Sequence, residues 1–158
     1  MRTGTSWNSQ RANEIIEANK QLVGAALPIL HALQQEFGYI DRDAVPSIAQ
    51  ALNLSRAEVH GIVSFYHDFS QTPRGRRVLK LCRAEACQSM GADALAERAR
   101  ARLQIDWHET TPDGRVTLEP VFCLGLCACA PAAMLDGKVV GALDEAQLAS
   151  LIDEARSQ

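Results

Sequence analysis

Four of the five cysteines in the chain fall into two close pairs. Cys82-Arg-Ala-Glu-Ala-Cys87 is a C-x4-C, and Cys123-Leu-Gly-Leu-Cys127 is a C-x3-C. Thiolates are strong donors to soft and borderline metals, and four of them together suit tetrahedral zinc or an iron–sulfur cluster. Structural zinc sites favour the tighter C-x2-C turn, which neither pair makes, so the spacing favours iron and sulfide and leaves zinc as the alternative. The same spacing argues against thioredoxin-type dithiol chemistry, which uses C-x2-C. Ligands this far apart in sequence share a site only if the elements before them end side by side. Both pairs follow runs that read as β-strands, Val78–Leu81 and Val116–Phe122, and strand ends in an α/β layer gather distant loops.

The rest of the composition narrows the class. A chain of 158 residues with 47% apolar and 22% charged residues is an ordinary globular protein. Its net charge of −3 gives no basic field for nucleic acid or an anionic membrane. The polar start, Met1 to Gln10, lacks the apolar core of a secretory signal, and no run is long enough to span a membrane. An odd cysteine count without an export signal points to reduced thiols or metal ligation, and the expectation is a cytoplasmic protein with no membrane insertion.

Residues 1–8 read as a frayed lead. A helical pattern then runs from Ser9 to near Gly24, with Ile15/Ile16 and Leu22/Val23 seven apart on one face. Further helices fit Pro28–Glu36, closed by Gly38, and Ala44–Leu52, with Asp43 as N-cap. Ser55-Arg-Ala-Glu58 is a capping box that starts a fourth helix reaching about Phe69. Thr72-Pro-Arg-Gly75 breaks the pattern and marks a boundary between residues 1–73 and 74–158. Beyond it come a strand at Val78–Cys82, a helix from Ser89 or Gly91 to Arg102, a short strand at Ile105–Thr110 and a strand at Arg115–Phe122. A hairpin through Asp136-Gly137 and a last helix capped by Asp144 complete the chain. The fold expected is α+β, an N-terminal helical bundle followed by a thioredoxin-like α/β domain with a mixed sheet.

With the motifs placed, the chain resembles the thioredoxin-like [2Fe-2S] subunits of NADH:quinone oxidoreductase, of NAD-reducing hydrogenases and of NAD-dependent formate dehydrogenases. The residues that carry the resemblance are Leu27–Leu30, Phe37–Ile40, Val59–Tyr66, Asp113–Leu118 and, most specifically, Cys123–Cys127 followed by Ala130-Pro131. Leu81–Gln88 is most similar to the γ subunit of the formate dehydrogenase branch. The resemblance implies one [2Fe-2S] cluster held by Cys82, Cys87, Cys123 and Cys127, two thiolates to each iron, and a low-potential one-electron carrier. It implies no catalytic residues in this chain. Its partners would be a flavin- and NAD-binding iron–sulfur subunit, which residues 9–70 would dock, and a molybdopterin-containing formate dehydrogenase subunit. The equivalent subunit of NADH:quinone oxidoreductase or of an NAD-reducing hydrogenase is the alternative.

Several neighbours of the thiols carry expectations of their own. Gly125 would let the backbone turn tightly and aim amides at sulfur, and Pro131 would fix the loop as it returns to the hairpin. Cys129 lies outside the family's ligand pattern and reads as a small buried thiol or a neighbour of the cluster. Arg74, Arg76, Arg77, Lys80 and Arg83 surround the first ligand, either to raise its potential, to dock an acidic surface or as solvated charge. The four histidines fall in no metal spacing with the cysteines. A reading of another class takes Ile48–Val63 as a helix-turn-helix and the chain as an iron–sulfur regulator. Residues 1–73 hold five Lys/Arg against seven Asp/Glu, which opposes a DNA-binding surface.

Overall fold

A computed structural model describes residues 6–157, which fall into two compact units divided between Pro73 and Arg74. The first is all-helical: α1 (Ser9–Asn19), α2 (Ala26–Phe37), α3 (Ala44–Leu52) and α4 (Arg56–Phe65). Most of the lead expected over residues 1–8 lies outside the described residues. Its last two residues are engaged, because the Asn8 side chain caps α1 by accepting from the Arg11 amide and Trp7 packs against Phe37 at 4.8 Å between ring centroids. α1 stops short of Gly24. The Asn19 side chain donates to the Ile15 carbonyl at 2.8 Å, a local competitor of the helical ladder, and Leu22 and Val23 are exposed rather than on a buried face. Gly38 and Asn53, both left-handed, end α2 and α3. Asp43 precedes α3, but its side chain makes no capping bond.

The Ser55–Glu58 capping box forms as the sequence predicts. α4 nevertheless ends at Phe65, not Phe69, because Tyr66 is extended. Gln34 explains the turn back: buried in α2, it donates to the Asp68 carbonyl and accepts from the Ser70 amide, so its amide is satisfied by the segment after α4. Ile29, Leu30, Leu33, Ile48, Val59, Val63 and Phe69 share the core of this unit.

The second unit is built on a four-stranded mixed sheet in the order β2-β1-β3-β4. β1 (Arg77–Cys82) pairs in parallel with β2 (Val116–Val121), and β3 (Ala133–Leu135) runs antiparallel between β1 and β4 (Lys138–Val140). α5 (Glu85–Ser89), which the sequence did not announce, and α6 (Ala92–Leu103) connect β1 to β2, and α7 (Glu145–Arg156) ends the chain. Leu79, Leu81, Val116, Leu118 and Leu135 pack with Ala96, Leu103, Leu148 and Ile152 in one core. Ile105–Thr110 is not a strand: Asp106 and Glu109 close a local turn and His108 takes φ 64°, so its ties to β2 are the His108 and Glu109 backbone bonds to Leu118 and a single bridge from Thr110 to Thr117. The hairpin turns at Asp136 and Gly137, both with positive φ, and Asp144 forms a capping box with Gln147. Among the described residues no helix is long and apolar enough to cross a membrane.

Candidate metal centre

β1 and β2 are parallel neighbours in a register that sets Cys82 against Val121, so their carboxyl ends open side by side. Cys82 is the last residue of β1, and Cys87 sits on α5, one turn of chain later. Cys123 follows β2 by two residues, and Cys127 opens a short 3-10 turn, Cys127–Cys129. The structure brings these four together. Cys82 and Cys87 are close enough for each thiol to shift the other's pKa, the Cys123 and Cys127 sulfurs lie 3.7 Å apart, and Cys127 is close enough to feel the charge of Cys82. The arrangement is of two pairs side by side, and among the described residues no group of three or more His, Cys, Asp or Glu side chains surrounds a single ion position.

Backbone amides point into the site. That of Gly125 donates to Cys123 Sγ at 3.4 Å, those of Ala84, Cys123 and Leu124 lie near enough to Cys82 to lower its pKa, and that of Ala132 acts likewise on Cys87. Gly125 takes φ 79°, as the expected tight turn requires. Cys123 itself takes φ 95°, a costly conformation for a residue with a Cβ, held by the surrounding loop. Burial pushes the Cys82 thiol up, but the Ala84 amide, the Cys87 thiol and the two loop amides outweigh it and leave Cys82 below the ordinary thiol range. Burial raises Cys87, with Cys82 adding to the rise, and the bond to Cys123 and its charge raise Cys127. Four thiolates in one place therefore repel, and cations between them are what would relieve the repulsion.

The donor set fits a thiolate-bound metal centre. Two thiolates at ~2.3 Å from one tetrahedral metal lie about 3.7 Å apart, the spacing seen for Cys123 and Cys127. Cys82 and Cys87 are buried among Ala92 and Ala132, with Leu124 and Leu126 packed against them, whereas Cys123 and Cys127 are exposed. Cys129 is exposed too, not the buried thiol expected, and among the described residues it shares none of these contacts. Its carbonyl accepts from the Ala142 amide and Gly141 lies against it, so it serves the loop. Pro131 accepts from the Leu143 amide at 2.9 Å, tying the loop to the segment before α7. Gly125 signalled its own amide in the sequence, and the other amides left no signal, because backbone N–H groups belong to every residue type but proline.

A family model described as thioredoxin-like [2Fe-2S] ferredoxin matches residues 12–156. The chain is 33% identical over 141 residues to NADP-reducing hydrogenase subunit HndA of Solidesulfovibrio fructosivorans, covering 89% of this chain and 82% of that one. It is 33% identical over 134 residues to NADH-quinone oxidoreductase subunit 2 of Thermus thermophilus, covering 84% and 74%. Among solved structures, an NAD+-reducing [NiFe]-hydrogenase in its H2-reduced state superposes with a TM-score of 0.67 at 31% identity, over 82% of this chain and 22% of that one. The α+β architecture of helices followed by a thioredoxin-like mixed sheet is thus shared with proteins of known fold. The chain belongs to the thioredoxin-like [2Fe-2S] ferredoxin family, and that membership implies one [2Fe-2S] cluster.

Proposed function

We propose that the chain is a [2Fe-2S] electron-transfer subunit of an NAD(P)-linked oxidoreductase complex, of the NADH:quinone oxidoreductase or NAD-reducing hydrogenase kind. The observation that carries this is the convergence of two thiol pairs at the carboxyl ends of β1 and β2, in a chain of this family. Cys82 and Cys87 would hold one iron and Cys123 and Cys127 the other. When bound, the cluster supplies a one-electron couple. The residues of the chain set its surroundings. Amides at Ala84, Cys123, Leu124, Gly125 and Ala132 put N–H dipoles on sulfur, which favours the more negative state. Burial keeps water from Cys82 and Cys87, and the exposed Cys123 and Cys127 face the side a partner would cover.

In this reading residues 74–158 are the cluster domain and residues 1–73 the docking domain for a flavin- and NAD-binding subunit, in the cytoplasm. A row of rings supports the docking role: Phe65 and Tyr66 are exposed and continue through Tyr66–Phe69 and Phe69–His31 contacts into the helical core. Relatives named as hydrogenase and quinone oxidoreductase subunits support those parent complexes over formate dehydrogenase. Formate dehydrogenase is the second reading and rests on Leu81–Gln88 alone.

Purification of the tagged chain from its own host tests the proposal. A flavoprotein that oxidises NADH or NADPH should accompany it. Nickel in the complex selects hydrogenase, quinone reduction with membrane subunits selects the oxidoreductase, and molybdenum or tungsten selects formate dehydrogenase. Recovery of the chain alone, or bound to DNA, contradicts the reading.

A further inference from the structure

The structure sorts the five cations around the first thiol pair. Arg77 pairs with Asp136 and Glu154, Arg83 pairs with Asp93 at 2.9 Å and lies over the Trp107 ring, and Arg76 is exposed. Arg74 and Lys80 instead converge on one carboxylate: Arg74 Nε is 2.7 Å from Glu119 Oε1 and Lys80 Nζ 3.4 Å from Glu119 Oε2. The side chains of Arg74, Lys80 and Glu119 are 12%, 22% and 10% exposed. One anion is shared by two cations, so the group carries an excess positive charge.

Its position follows from the strand. Leu79 and Leu81 enter the core on one face of β1, which leaves Lys80 and Cys82 on the other, two residues and about 6.6 Å apart along the strand. In the sheet Lys80 stands beside Glu119 of β2 and Met134 of β3, so the register of three strands holds the ammonium where it is. That spacing is between backbone positions, and the Lys80 ammonium, drawn to Glu119, sits in partly buried surroundings where charge is screened far less than in water. A centre held by these thiolates would become one charge more negative on taking up an electron, and a fixed cation nearby would favour that state.

We propose that Lys80, clamped by Glu119 in company with Arg74, is the fixed charge that raises the reduction potential of the centre held at Cys82. This rests on the ligand assignment proposed for Cys82. Potentiometric titration of the reconstituted full-length chain, followed by EPR with iron counted in each variant, tests it. Lys80→Gln lowers the potential, Lys80→Arg leaves it near the parent value, and Glu119→Gln, which removes the anion and keeps both cations, raises it. An unchanged potential in Lys80→Gln with full iron content, or an equal fall in Lys80→Gln and Lys80→Arg, overturns the proposal while the ligand assignment stands. If Lys80→Gln does not assemble, the sign of the Glu119→Gln shift decides. A parent chain without iron would instead overturn the ligand assignment.

Discussion

Cys82 is buried with backbone amides that favour its thiolate, whereas Cys129 is exposed and holds its loop through its carbonyl. Cys82→Ser is therefore expected to lose the cluster, and Cys129→Ser to keep iron content and spectrum at parent levels. Iron and sulfide analysis of the two purified variants reads the difference; an unchanged cluster in Cys82→Ser would sink the assignment. At this scale the sequence was legible where chemistry needs a particular side chain. Thiol spacing named the pairs, and glycine at position 125 announced a turn that the backbone makes. It was silent on the amides of Ala84, Leu124 and Ala132 and on the positive φ of Cys123, since those belong to the backbone. Glu119 is the one acid of β2, and only the register shows Lys80 beside it.

Elements were legible where their signals are local. The box at Ser55, the cap at Asp144 and the turn at Asp136-Gly137 form as written, because each is decided within about four residues. Periodicity misled where a side chain intervened: Asn19 ends α1 before Leu22, and Asp106 and Glu109 turn the chain where alternation suggested a strand. α5 was missed because five residues show no period. Ser55→Ala should destabilise the helical unit by about 1 kcal/mol, measurable by denaturant unfolding. Glu58 lies below the ordinary carboxylate range because the Ser55 amide, then its hydroxyl, donates to it. Its folded pKa being depressed, the contribution of this box is present above the unfolded value of about 4.3 and is lost as pH falls through the folded one. The stability gap between parent and Glu58→Gln should accordingly narrow on acidification. Gly141 backs the thiol loop. A Cβ there would meet Cys129 Cβ and O at 2.9 Å and Leu126 Cδ1 at 3.3 Å. Gly141→Val should shift that loop and lower iron per chain, and full iron content with parent stability would contradict the packing argument.

For the whole molecule, the division of labour follows from what each unit holds. The helical unit has a closed apolar core, an exposed aromatic row and an excess of acidic residues, with none of the cysteines. The sheet unit carries all five cysteines, four of them at the mouth of its parallel strand pair. The order of helices before sheet was readable from the change in hydrophobic period across Pro73, but the strand order β2-β1-β3-β4 was not, because pairing is a long-range choice. That order is what puts Cys82 beside the Cys123 loop, and a shared cluster depends on it. Iron, acid-labile sulfide and zinc in anaerobically purified chain, with an EPR spectrum after chemical reduction, test it most directly. About two irons and two sulfides per chain, with the paramagnetic signal of a one-electron-reduced centre, are predicted. Zinc without sulfide and no signal would make the four thiols a structural clamp and contradict the assignment of an electron carrier.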